Sequence, residues 1–140
     1  MARIQQQKRI LIIDDDIDLL MLLERTLQQQ EYEVETAASI PEAEELIALF
    51  QPHLVLLDIN INGEDGRLLC GKIKTIEKGL EIKVIIMSGY DYSSSRAHLF
   101  GADEMVAKPI HTEYLLHRIS VHLDEEHGNS NTTSHLENLI

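Results

Sequence analysis

Apolar positions along the chain follow two alternating rhythms. Short runs such as Ile10-Leu11-Ile12-Ile13, Leu54-Val55-Leu56-Leu57 and Val84-Ile85-Ile86-Met87 carry no polar residue. Such runs suit strands buried on both faces, as in a parallel sheet covered by helices. Between them, apolar residues recur every three or four positions, the spacing of a helix with one buried face. Taken in order, the pattern predicts a strand at Ile10–Ile13 and a helix from Ile17 to Gln30, with Asp16 or Asp18 as cap. A short strand Glu33–Thr36 follows. Ser39-Ile40-Pro41-Glu42 reads as a capping box, ahead of a stripe of Ala43, Leu46, Ile47 and Phe50. Pro52 ends that helix and the strand Leu54–Asp58 begins. A turn rich in Asn and Gly leads to a third helix marked by Leu69, Ile73 and Ile76, ending near Gly79. The strand from Lys83 delivers Ser88 and Gly89. A short helix is expected up to Phe100, then a weaker strand Met105–Ala107 ending in Lys108-Pro109. The last helix is expected to be capped by Thr112 and to carry Leu115, Leu116, Ile119 and Leu123.

This alternation predicts an α/β fold with parallel strands, right-handed crossovers and helices on both faces. A chain of 140 residues is the size of one ordinary domain. The expected boundaries are a domain over residues 8–124 and a flexible polar tail over 125–140, with Leu136, Leu139 and Ile140 at its frayed end.

Charge narrows the function. The chain has 24 acidic and 12 basic residues, a formal net charge of -12, which argues against direct nucleic-acid binding. One cysteine, Cys70, permits no internal disulfide, and no apolar run approaches membrane-spanning length. The apolar run near the start breaks at Asp14, too early for a signal peptide. The expectation is a cytoplasmic protein without a membrane partner.

In an open parallel sheet, ligands bind at the carboxyl edge of the strands. The predicted strands bring Asp14 and Asp15, Asp58, Ser88 and Lys108 to that edge. Clustered carboxylates repel one another unless a cation neutralises them or their pKa values rise. Three acids in an oxygen-rich cleft suit Mg²⁺. A serine hydroxyl and a lysine ammonium beside them make a reasonable set of partners for a phosphoryl group.

These residues resemble a known family. Ile-Ile-Asp-Asp-Asp after the first strand, Leu-Leu-Asp58 after the third, Met-Ser88-Gly after the fourth and Ala-Lys108-Pro109 after the fifth are similar to the receiver domain of bacterial two-component response regulators. Each piece is weak alone; four in order, at the ends of successive strands, are specific. The resemblance implies a flavodoxin-like, doubly wound five-stranded sheet of order 2-1-3-4-5 with five flanking helices, close to the stand-alone chemotaxis regulators. It implies that Asp58 is the phosphoacceptor, taking a phosphoryl group from a sensor histidine kinase or phosphotransfer protein. Asp14, Asp15, Asp58 and the backbone carbonyl of Asn60 would hold Mg²⁺. Ser88 and Lys108 would contact the phosphoryl group, with a cis bond before Pro109. Ser88 and the residue at Met105 would form the switch that reshapes the surface of the fourth helix, fifth strand and last helix for a downstream protein. No turnover enzyme is implied, and a homodimer stays open.

Three departures stand out. The turn after the acceptor usually carries Pro-Gly in this family, whereas here it is Asn62-Gly63. Met105 stands where the family usually has Tyr or Phe, and it lacks the ring. No fused output domain is expected, since few residues follow Leu123 in this sequence. The rival readings are a phosphorylation-independent interaction module, a receiver from a hybrid kinase or phosphorelay, and a phosphatase-type hydrolase. The run from Asp58 to Gly63 also imitates half a calcium-binding loop, but Leu69 stands where that loop needs a bidentate Glu. Asp16 is expected to cap rather than bind. The seven histidines and Cys70 are expected to be structural or solvated.

Overall fold

The computed structural model describes residues 6–76, 81–89 and 100–123. Its centre is a five-stranded parallel sheet of β1 (Arg9–Ile13), β2 (Glu33–Ala37), β3 (Leu54–Asp58), β6 (Lys83–Ser88) and β7 (Glu104–Ala107), in the order β2-β1-β3-β6-β7. Renumbered by position in the chain, this is the expected order 2-1-3-4-5. The helices are α1 (Ile17–Gln29), α2 (Ile40–Phe50), α3 (Gly66–Thr75) and α4 (Thr112–Leu123). The helix expected before Phe100 lies almost wholly outside the described residues, as do Gly79 and the tail.

Strand alternation divides the core in two. Ile10, Ile12, Leu54, Leu56, Ile85 and Met87 pack on one face with Leu20, Leu23 and Leu27 of α1 and Leu115, Ile119 and Leu123 of α4. Leu11, Ile13, Val55, Leu57, Val84 and Ile86 pack on the other with Ala43 and Ile47 of α2 and Leu69, Cys70 and Ile73 of α3. The uninterrupted apolar runs are therefore explained by two helical layers, each claiming every second residue.

Local signals set most helix starts. Asp16 caps α1, its carboxylate accepting from the Leu19 N–H at 3.2 Å. Ser39 caps α2, accepting from the Glu42 N–H at 3.3 Å, with Pro in the first turn. Three expectations need correction. Thr112 is the first helical residue of α4 rather than its cap, because the Leu115 N–H already bonds to the His111 carbonyl at 2.9 Å. Helix α3 stops at Thr75, so Ile76 falls beyond it and is 44% exposed instead of lying on the buried stripe. The turn after Asp58 is a miniature antiparallel hairpin, β4 (Asn60–Ile61) with β5 (Glu64–Asp65). Asn62 and Gly63 connect it with φ of 52° and 83°. Positive φ at both central residues is what a type I′ two-residue hairpin turn uses, and Asn-Gly is the pair best suited to it.

Candidate functional site

Sheet register assembles the site. Ile13 pairs with Leu57, so Asp14 and Asp58 leave neighbouring strands at the same level. Asp58 pairs with Met87 and Ser88 with Ala107, one residue before Lys108. The Lys108 N–H then donates to the Ser88 carbonyl at 2.7 Å. The chain runs from β1 outward to β2 and returns past β1 to β3, so the crevice between β1 and β3 is the point where winding reverses. Such switch points are where open α/β sheets bind ligands.

Asp14, Asp15 and Asp58 each offer a carboxylate oxygen within 4.8 Å of the others. Asp14 is fully buried, Asp58 nearly so and Asp15 exposed. Asp14 is held from two sides: Oδ1 accepts from the Asp16 N–H at 2.9 Å, and Oδ2 from Lys108 Nζ at 2.8 Å. Lys108 Nζ also stands 3.5 Å from Asp58 Oδ1. Asp15 Oδ2 accepts from the Asn62 N–H at 2.8 Å. Ser88 is buried at the end of β6. Lys108 and Pro109 are joined by a cis bond.

Electrostatics follow from this crowding. Burial, and next the charge of Asp14, push the Asp58 carboxyl up to about 6, against the opposing pull of Lys108 and a backbone hydrogen bond from Asn60. Burial works against the charge on Lys108, but its hydrogen bond to Asp14 and the field of both aspartates outweigh it and hold the ammonium above its usual range. One lysine, in contact with Asp14 and Asp58, thus stands beside a cluster of three carboxylates. An all-oxygen donor set with surplus negative charge fits a hard divalent cation such as Mg²⁺, and Asp14, Asp15 and Asp58 are the side chains that would hold it.

Met105 and the Asn60 side chain make contacts of their own, whereas the Asn60 backbone hydrogen-bonds to Asp58. Met105 lies in β7, partly buried against the α2–α3 core. Asn60 is exposed in β4, its Oδ1 accepting from the Gly63 N–H at 3.1 Å. His53 is structural, its Nδ1 accepting from the Arg9 N–H at 2.9 Å. His122 is also structural, paired with Glu104 at 2.7 Å.

Two features escaped the sequence reading. Gly66 was legible only as a turn residue. A Cβ there would land on the Asp58 carbonyl oxygen, while the Gly66 N–H donates to the Ile59 carbonyl at 2.7 Å. The hairpin that carries Asn62 to Asp15 had a signal, the Asn-Gly pair between two-residue β segments.

Comparison with known proteins agrees with this geometry. Residues 10–120 match the response regulator receiver domain. A CheY-like receiver domain protein from Methanospirillum hungatei JF-1 is similar at 34% identity, covering 87% of this chain and 98% of its own, with a TM-score of 0.76. A two-component response regulator from Clostridium difficile is 28% identical over 84% of this chain and 96% of its own, with a TM-score of 0.77. The BeF3-activated N-terminal receiver domain of RstA from Klebsiella pneumoniae is 27% identical over 83% and 98%, with a TM-score of 0.74. With a family match spanning most of the chain and the acidic crevice at the sheet's switch point, the chain belongs to the response regulator receiver domains of two-component systems.

Proposed function

We propose that Asp58 accepts a phosphoryl group from a phosphohistidine and that this biases the domain between two surfaces read by a partner protein. The observation that carries the proposal is the Asp58 carboxylate, nearly buried at the end of β3 within reach of Asp14, Asp15 and Lys108. With its carboxyl pushed up to about 6, Asp58 is mostly ionised at neutral pH and remains a competent oxygen nucleophile. Its oxygen attacks phosphorus as the P–N bond to the donor imidazole breaks. The imidazole departs with that electron pair and is protonated, leaving an acyl phosphate on Asp58. Such a transfer depends on positioning and charge compensation.

Lys108, bonded to Asp14 and 3.5 Å from Asp58 Oδ1, would pair with a phosphoryl oxygen on Asp58, and Ser88 would donate its hydroxyl to another. Asp14, Asp15, Asp58 and the Asn60 carbonyl would hold Mg²⁺, which when bound neutralises phosphoryl charge. The product is a modified residue that water later hydrolyses, so the domain acts as a phosphoacceptor and not as a turnover enzyme. The partner would read β7 and α4 together with the segment before β7. The two states need differ by only about 1–3 kcal/mol, the usual scale of such coupling. Met105, without a ring, would enter that change by exchanging rotamers.

The test is intact mass after incubation with acetyl phosphate, with and without Mg²⁺, on the wild type and Asp58→Asn. One added phosphoryl group requiring both Mg²⁺ and Asp58 is expected. Rapid hydrolysis would hide the adduct, so beryllofluoride, named for the Klebsiella receiver, is the second probe. No adduct and no Mg²⁺-dependent beryllofluoride binding would overturn the proposal in favour of a phosphorylation-independent interaction module.

A further inference from the structure

The Asn62 side chain, backbone amide and backbone conformation are all engaged. Its φ of 52° sets the first half of the hairpin turn. Its N–H donates to Asp15 Oδ2 at 2.8 Å, and its Nδ2 donates to the Ala38 carbonyl at 3.1 Å. Gly63, next in the turn, is tied back to Asn60 Oδ1 at 3.1 Å. Asp15 is exposed, and among the described residues no other group hydrogen-bonds its carboxylate. An exposed aspartate free of such a bond would sample several rotamers, and each would have to be given up on binding a cation.

We infer that Asn62 is a positioning residue for the cation site: anchored on the β2–α2 loop through Ala38, it fixes Asp15 beside Asp14 and Asp58 through its backbone N–H. The inference rests on the Mg²⁺ reading above and adds to it a residue outside the ligand set. The device belongs to this chain's own sequence. The proline usual at this turn in receivers has no N–H to donate and cannot adopt a positive φ. Asn supplies both, and its side-chain amide adds the anchor. Hydrogen bonds that orient a metal ligand typically change affinity by about 10–100-fold. The lower end applies here because Asp15 faces solvent.

The experiment combines a metal-free readout with a metal titration. In the metal-free protein, the Asn62 amide proton resonance should move upfield in Asp15→Ala and stay in place in Asp18→Ala, since losing the carboxylate acceptor deshields it less. Calorimetric Mg²⁺ titration should then show about tenfold weaker binding in Asn62→Pro, which lacks the N–H. Asn62→Gly keeps the N–H and tolerates the turn, so it should lose only about two- to threefold. Melting temperatures are recorded alongside, because a merely structural role would lower them and leave Mg²⁺ affinity unchanged. An Asn62 amide indifferent to Asp15→Ala, or wild-type affinity in the variants, overturns the positioning role alone. A wild type that takes up no Mg²⁺ overturns the metal reading beneath it. Should Asn62→Pro fail to fold, the amide shift and Asn62→Gly decide the matter between them.

Discussion

Gly66 stands where the chain comes back over the end of β3, and the space for a side chain there is already filled by the Asp58 backbone carbonyl. A methyl group cannot be accommodated by rotating a flexible neighbour, because the obstacle is main chain. The backbone of either Asp58 or α3 must shift, and overpacking of this kind costs about 1–3 kcal/mol. Gly66→Ala is therefore expected to lower unfolding stability by about that amount and to impair beryllofluoride binding, since the obstructing carbonyl belongs to Asp58. Gly71, which has open space around it, is the control. Chemical denaturation of both alanine variants checks the prediction, and equal losses would remove the steric account. The same residue shows where sequence reading stops. That Gly66 belongs to a turn follows from its neighbours; that it touches Asp58 depends on how β3, the hairpin and α3 fold onto one another.

At the scale of elements, what repeats along the chain was legible and what joins distant segments was not. Apolar runs marked the strands, and the capping signals of Asp16 and Ser39 correspond to hydrogen bonds in the structure. Because Asp14, Asp58, Ser88 and Lys108 all follow apolar runs, parallel alternation alone sufficed to gather them at one edge. The ion pairs that join elements have no comparable local signal. Lys74 of α3 reaches the Ile82 carbonyl at 2.5 Å and Asp103 Oδ2 at 2.9 Å, while that same carboxylate oxygen accepts from the Val84 N–H at 2.8 Å. Residues 29 positions apart thus staple α3 to the start of β6 and the approach to β7. Both side chains are largely shielded from water, at 10% and 25% exposure, so the pair is worth more than a surface salt bridge. Lys74→Met keeps most of the aliphatic stem and removes the ammonium. It should cost about 1.5–3 kcal/mol in denaturant unfolding, the range for hydrogen bonds to a charged group. Asp103→Asn combined with Lys74→Met should cost less than the sum of the two single changes, because the partners share one interaction. Additive losses would mean that the residues do not act together.

Across the whole molecule, the fold holds together at some expense to its own stability at the site. Its two apolar layers bury the central strands β1, β3 and β6 almost throughout, and the crevice at their carboxyl edge places the Asp58 carboxylate beside Asp14 where neither is well hydrated. A carboxyl pushed up to about 6 in the folded protein, by burial first and Asp14 second, titrates higher than in the unfolded chain. The sign of the linkage follows. Above the folded value the ionised group opposes folding, and below the unfolded value it does not, so the penalty fades as pH falls from about 6 toward the ordinary carboxylate range. Asp58→Asn removes the charge while nearly keeping the shape, so it should be more stable than the wild type at pH 7.5 by about 1–3 kcal/mol. The advantage should narrow by about half at pH 5, where most of the folded wild type is already protonated at Asp58. Mg²⁺ should stabilise the wild type at pH 7.5 more than it stabilises the variant, because the cation supplies the compensation that the substitution makes unnecessary. Melting curves at the two pH values, with and without Mg²⁺, check all three outcomes. A variant less stable than the wild type at pH 7.5 would mean that Lys108, deprived of part of its counter-charge, loses more than the carboxylate pair gains. In that event the Asp58–Lys108 contact, and not repulsion from Asp14, would dominate the energetics of the crevice.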